Sequence, residues 1–589
     1  MSSPYTLPAI VLITVFTLAL GAFGYRFSRT TSDFLVASRT VSPRWNASAI
    51  SGEYLSAASF LGVAGLVMKF GADVLWYPVG FTAGYLAMLL FVAAPLRRSG
   101  AYTLPDFAEL RLHSAAVRRM STAFVVLIGW LYLVPQLQGA GLTLSTVLGA
   151  PGWLGASVVG VVVTVNVAVG GMRSITFVQA FQYWIKLTAI CVPAAFLLLH
   201  WQAARQPGSL TGPELPSFPD RTTVRVRADA AVTVDEPVTF TAHGVLDGQR
   251  RDGQVRWSPG PHQIDRDAVL TFPAGAPVPR LHGVPKLDNA TWSQPLSGLS
   301  GTGQHPLFGI YSLILATFLG TMGLPHVLVR FYTNPDGRAA RKTTLVVLGL
   351  LGLFYLFPTL YGALGRLYTP QLLLTGRTDA VVLVLPGAAL GGLVGQLLAG
   401  LVAAGAFAAF LSTSSGLLVN VSGVLATDVL GRGSVRDFRR AALLAGVVPL
   451  VLALQVSGLD VSQVVGLAFA VAASTFCPLL VLGVWWRGLT AVGAGVGLLA
   501  GGVLSAAAVL ITVLGADFGG WPGALLTEPA AWSVPTAFLV MVVVSRLTRG
   551  RVPADVGRTM LRLHAPETLR SRPVRVAGPD PVQPAPGAP

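Results

Sequence analysis

Cysteine is nearly absent. The 589 residues hold two, Cys191 and Cys477, both inside apolar runs and far apart. No disulfide framework or paired-cysteine metal motif can be built from them. Charge is scarce as well: 11% of residues are charged, against about 25% in a soluble globular chain. That is too little to clothe a soluble globule of this size. The eight histidines are scattered, and there is no HExxH, Walker loop or nucleophile elbow. These absences remove most soluble-enzyme classes. What is abundant is apolar: 53% of residues are hydrophobic and the mean hydropathy is +0.65. A bilayer is the solvent that suits such a chain. The net charge of +16 would suggest nucleic acid as the partner of a soluble protein. In a membrane protein it marks cytoplasmic loops instead.

A span needs about 20 apolar residues. Runs of that kind fall at roughly 5–25, 45–68, 73–96, 117–147, 152–170, 175–199, 306–330, 343–365, 388–427, 441–457, 460–482, 489–513 and 530–546, which makes thirteen. An amphipathic stretch near 103–115 is expected at the membrane surface. Basic residues of the short loops alternate in side. Nineteen, among them Arg26, Arg29, Arg97, Arg98, Arg111, Arg118, Arg330 and Arg432, fall on one face, and only Lys69, Arg366 and Arg377 on the other. By the positive-inside rule the N-terminus is expected outside and the tail in the cytoplasm. The +16 is then a one-sided topological charge, and nucleic acid drops out as a partner.

Two segments are not membrane. Residues 201–304 contain alternating runs at 223–227, 238–242 and 254–257, separated by Asp247-Gly248, Asp252-Gly253 and Pro259-Gly260. They read as a small extracytoplasmic β-rich insertion, with a Pro/Gly-rich disordered loop as the alternative. The tail from about 548 is rich in Arg and Pro without apolar periodicity, and reads as disordered near the anionic inner leaflet.

The long insertion divides the central spans into two groups of five, an odd number that inverts the second group relative to the first. The first span of each group is interrupted: Ser51-Gly52-Glu53-Tyr54-Leu55-Ser56-Ala57-Ala58-Ser59 in one, Gly320-Thr321-Met322-Gly323-Leu324-Pro325-His326 in the other. Matched interruptions point to a transporter site at the midplane. On the stretches 52–62 and 320–331, and on Ala408-Ala409-Phe410-Leu411-Ser412-Thr413-Ser414-Ser415, the chain resembles the sodium:solute symporter family in its cation/acetate symporter branch. The likeness runs over about 30–200 and 305–485. It implies an all-α polytopic membrane protein of the leucine-transporter type. The expected organisation is an accessory helix in 1–30, inverted five-helix repeats at 44–200 and 305–483, the insertion at 201–304, two accessory helices at 488–547 and the tail at 548–589.

The resemblance also implies site residues. Ser412 and Thr413 match its ion-binding hydroxyls, and Ala409, Gly52 and Leu55 its carbonyl donors. The coupling ion is sodium or a proton, and no other cofactor is expected. Glu53 stands where the branch usually has Asp. It could bind the cation, relay a proton, or hold the unwound segment by accepting backbone N–H bonds. Glu53 and Lys186 are read as the two charged residues deep in the membrane. Lys186 could pair with Glu53, attract a carboxylate, or snorkel. The family often has an acid at the position of Val178, and its absence argues against a second cation site there. For a small carboxylate, Tyr54, Ser56, Gln136, Gly320, Thr321 and Gly323 are the expected contacts, with Glu53 beside them. His326 reads as a structural hydrogen-bond partner, and Asp428 as a solvated or gating group. The expected function is symport of acetate or a related short-chain monocarboxylate across the plasma membrane, not enzymatic catalysis. Sodium, the solute, the bilayer and a small membrane partner protein are the expected partners. A membrane sensor using the 201–304 module is the alternative.

Overall fold

The computed structural model describes residues 3–25, 36–203, 210, 212–226, 229–282, 284, 286–295, 305–431, 434–455, 461–514 and 518–565. Arg26, Arg29, Arg227, Arg432 and the tail beyond 565 lie outside them. Among the described residues, ten stretches are long and apolar enough to cross a membrane. Two of these join successive helices. Gly152–Ala203 turns at Gly171 (φ 60°, ψ −170°), and Ala58–Ser99 turns at Gly71 (φ 76°). Only glycine takes such backbone angles without strain. Dividing both, and adding the 21-residue helix Val435–Gln455, brings the ten to the expected thirteen. The run expected at 388–427 is two helices, Val381–Leu390 and Gly392–Val424, because Gly391 and Gly392 both take positive φ.

Both interruptions are present, each with its own cause. The helix Pro43–Tyr54 stops where Leu55 turns to ψ 84°. The chain resumes through a wide turn at Ala58–Gly62 and continues as Val63–Phe70. The helix Pro306–Gly323 stops at Leu324 (ψ 113°), and Pro325 opens the short helix Pro325–Val329. A residue before proline is driven to extended geometry, and proline at the first helical position needs no N–H partner. Gly320 and Gly323 lie flat against the helix Val461–Trp485: a Cβ on them would come within 2.6 Å of the Phe469 carbonyl and 2.3 Å of that of Ala472. These two glycines therefore allow close helix packing.

The insertion is a β-module, as its alternation implied. Its strands are β1 (Thr222–Arg225), β2 (Ala230–Val234), β3 (Val238–Leu246), β4 (Gln249–Trp257), β5 (Gly260–Ile264), β6 (Val269–Phe272) and β7 (Arg280–Leu281). They pair in the order β1-β6-β3-β5-β2-β7, with β4 added to β3 in an antiparallel hairpin. Asp247-Gly248 forms the two-residue turn of that hairpin, both residues at positive φ. Asp252-Gly253 is not a turn: it lies inside β4, opposite Ala242 and His243. Its Gly-Asp polarity mimicked a turn because this face of β4 is exposed.

The module docks on the bundle through the helix Asn289–Ser293. Trp292 Nε1 donates to the Val67 carbonyl (2.8 Å), while Arg366 donates to Asn289 Oδ1 (2.8 Å) and the Leu287 carbonyl (2.6 Å). Leu374 of the bundle enters the module's apolar core. Arg366, expected in a short loop, is only 3% exposed. Arg111 is buried too. Its guanidinium donates to the carbonyls of Gly483 (2.9 Å) and Trp486 (3.0 Å), satisfying a helix C-terminus. The tail is not featureless where it is described: Val556–His564 is helical, and Arg98 Nη1 donates to the His564 carbonyl (3.1 Å).

Two outcomes test the docking and the hairpin. Arg366→Met strands buried acceptors and should loosen the docked segment by about 3 kcal/mol. Hydrogen exchange at 287–292 should accelerate, and unchanged protection there would count against the contact. At Asp247, burial pushes the carboxyl up, but the Gln263 N–H (2.7 Å) and His262 (2.9 Å) outweigh it and hold it below its ordinary value. The stabilisation is complete above the unfolded value of about 4 and is lost as pH falls through the lower folded value. Protection factors over 246–264, corrected for the intrinsic exchange rate, should fall on acidification, and Asp247→Asn should flatten that dependence.

Candidate functional site

The break at Leu55 frees backbone groups in the apolar interior, and each finds a side chain from another helix. Ala57 N–H donates to Gln136 Oε1 (2.9 Å). Gln136, expected to face solute, thus caps the resumed helix. Ser412 Oγ donates to the Gly52 carbonyl (2.6 Å) and Thr413 Oγ1 to that of Glu53 (2.6 Å). Ser412 Oγ also lies 3.1 Å from the Ala409 carbonyl. All five residues of the expected cation set are therefore brought together. Three of them share Lys186 as a neighbour. Its ammonium donates to the Gly52 carbonyl, to the Leu55 carbonyl (2.8 Å) and to Ser412 Oγ (2.6 Å).

Glu53 does not pair with Lys186. Its carboxylate forms an ion pair with Arg330 (2.6 Å), and both side chains are 1% exposed. Arg330 Nη1 donates to Thr176 Oγ1 (2.8 Å), and Nη2 to Gln179 Oε1. Gln179 Nε2 in turn donates to the Ser412 carbonyl (2.7 Å). From the sequence Arg330 belongs with the cytoplasmic loop charges, because it follows an apolar run and precedes a polar one. The second break turns the chain early enough to keep it inside. Gly416, one turn beyond Ser412, makes the space: a Cβ there would come 2.1 Å from Glu53 Cδ. Arg330, Gln179, Thr176 and Gly416 are site residues that sequence reading missed. Gly416 alone left a sign, standing at i+4 on the face of Ser412.

The two breaks meet across one bond, Tyr54 Oη to Thr321 Oγ1 at 2.8 Å. Around it stands a collar of rings. Tyr54 lies 4.8 Å from Tyr85, 5.8 Å from Phe81 and 6.2 Å from Phe469 between centroids. Tyr132 reaches Phe469 (5.8 Å) and His326 (5.3 Å). Tyr85 Oη and both ring nitrogens of His326 are buried without a hydrogen-bond partner among the described residues. His326 is therefore not the structural hydrogen-bond partner expected. Ser56 is fully buried at the break. Asp428 is not solvated: its side chain is 2% exposed and bound to Arg118 (2.6 Å), which also holds Asp106 (2.7 Å) and Glu109 (2.5 Å). These clamp Leu104–Leu112 to the end of the Gly392–Val424 helix. Asp106 sits above its ordinary carboxyl range because burial outweighs the nearby Arg118.

The model of the sodium:solute symporter family matches residues 34–206 and 294–501. The chain belongs to the sodium:solute symporter family. Among curated relatives, an uncharacterized symporter of Bacillus subtilis, YwcA, is 28% identical, with 89% of this chain and 90% of that one covered. An uncharacterized symporter of Cupriavidus necator is also 28% identical over 89% of this chain and 88% of its own. A solved Na+-coupled sialic acid symporter in its substrate-bound outward-open state covers 92% of this chain and 98% of its own, at TM-score 0.60 and 12% identity. That likeness shows the fold, which is of the leucine-transporter type. Family and relatives support a multi-pass, sodium-coupled membrane transporter and point away from an enzyme. The family match excludes 207–293, where the β-module lies.

The buried ion pair makes a double-mutant test. Arg330→Met leaves Glu53 without its guanidinium and should cost about 3–5 kcal/mol. Adding Glu53→Gln should recover part of it, read as melting of the detergent-solubilised protein. Strictly additive losses would mean that the two groups do not interact.

Proposed function

We propose that this transporter imports acetate or a related short-chain monocarboxylate across the plasma membrane by alternating access, driven by a cation gradient. In this reading the N-terminus and the β-module face outward, and the tail faces the cytoplasm, in line with the excess of Lys and Arg on one set of loops. The observation that carries the proposal is the Tyr54–Thr321 bond joining the two breaks inside the aromatic collar. The rings pack edge to face at 4.8–6.2 Å between centroids, so an occupant has to part them, and a small one parts them least. Tyr85 Oη and His326 add polar atoms with bonding capacity to spare. The charge balance favours an anion. Glu53 is outnumbered by Arg330 and Lys186, all fully or almost fully buried, so a carboxylate would neutralise the excess positive charge.

The two halves of each broken helix can then move with different parts of the bundle, opening the collar to one side at a time. Solute binding favours whichever arrangement gives its carboxylate donors, and that differential affinity shifts the population.

Counterflow of labelled acetate, propionate, pyruvate and glycolate into proteoliposomes tests the solute class. Exchange of at least one is expected, and Thr321→Val should reduce it about tenfold in protein that stays folded, with a somewhat lower melting temperature because Tyr54 Oη loses its partner. Absence of counterflow for all four, in protein that is folded, would sink the reading. Ser412→Ala with Thr413→Ala detaches the Gly392–Val424 helix from the first break. It should abolish gradient-driven uptake while expression persists.

A further inference from the structure

The family implies a sodium ion held by the Gly52, Leu55 and Ala409 carbonyls and the Ser412 and Thr413 hydroxyls. Those oxygens do not fit a free ion in this chain, because a side chain already uses them. Lys186 Nζ contacts three oxygens of the set, Gly52 O, Leu55 O and Ser412 Oγ. Lys186 is 0% exposed and comes from the kinked helix pair, while its acceptors belong to the first break and to the Gly392–Val424 helix.

We infer that Lys186 supplies the cation of this site from within the chain: its tethered ammonium stands where the family's sodium would and excludes that ion from the cage. Hydrogen counting supports the charged form. The two carbonyls can only accept. Ser412 spends its single proton on the Gly52 carbonyl (2.6 Å), so it too accepts from Lys186. Three acceptors require three N–H donors, which an ammonium has and a neutral amine lacks. The acceptors are uncharged oxygens, the kind a cation cage uses. The nearby carboxylate, Glu53, is engaged by Arg330, so the lysine is not there as its counter-ion. Of the other two expected ligands, Thr413 Oγ1 is tied to the Glu53 carbonyl (2.6 Å), and the Ala409 carbonyl lies 3.1 Å from Ser412 Oγ. A sodium ion entering the cage would have to displace the ammonium into an apolar interior, next to the remaining positive charge.

The inference concerns the coupling cation and is independent of which solute is carried. Melting of the solubilised protein, in sodium chloride against choline chloride at one pH and ionic strength, therefore tests it without a substrate. Wild type should melt at the same temperature in both. Lys186→Ala vacates the cage, strands its acceptors and should gain a sodium-specific rise of a few degrees, since a ligand that binds only the folded state stabilises it. Lys186→Met fills the same volume without charge and should show no rise. A folded Lys186→Ala protein that ignores sodium would overturn the inference. So would a sodium-specific rise in wild type that Ser412→Ala removes. The comparison of wild type with Ser412→Ala decides the question even if Lys186→Ala fails to fold.

Discussion

Four backbone groups set free at Leu55, deep in an apolar bundle, govern the arrangement of the centre. In a bilayer interior no water is at hand to satisfy them, and each left alone would cost several kcal/mol. The chain answers from three other helices at once. Gln136 takes the Ala57 N–H, Ser412 and Thr413 bind the Gly52 and Glu53 carbonyls, and Lys186 closes on Gly52 and Leu55. A break that would be a defect in an isolated helix becomes the point where the bundle is tied together.

The second constraint is electrostatic. Burying Glu53 demands a cation, and Arg330 provides it with a fork whose further donors reach Thr176 and Gln179. Gln179 passes the connection on to the Ser412 carbonyl. The ion pair and the lysine cage are thus one network with Ser412 in common. Size matters as much as charge here. Gly416 leaves room for the carboxylate, and Gly52 lets its helix approach the Gln179 carbonyl, where a Cβ would be 2.3 Å away.

The large features were legible in the amino acids because they rest on composition and local backbone chemistry. Apolar run length gave the spans, alternation gave the β-module, and Gly and Pro marked the two breaks. Proximity was harder. That Ser412, Thr413, Gly52 and Leu55 converge came only through family resemblance, since residues some 360 positions apart have no local signal of contact. Lys186 stood out as an ionisable group in an apolar run, but its acceptors are backbone carbonyls, which no residue name reveals. Arg330 was misplaced for a related reason. It ends an apolar run as a loop residue would, and the early turn at Leu324-Pro325 draws it inward. Gln136, Gly320 and Gly323 also have local work that their names do not reveal: Gln136 caps the resumed helix, and the two glycines let helices approach.

The β-module grips two different helices. Trp292 holds the second half of the first broken helix at Val67, and Asn289 and Leu287 hold Arg366 near the end of Gly337–Tyr368. Gly71, with the Trp292 carbonyl 1.9 Å from where its Cβ would be, allows the contact no slack. These helix ends also touch directly, with Arg366 Nη1 donating to the Met68 carbonyl (3.3 Å). The module is thus a third member of a joint that is already packed, and a displacement of either helix end would strain its bonds to both.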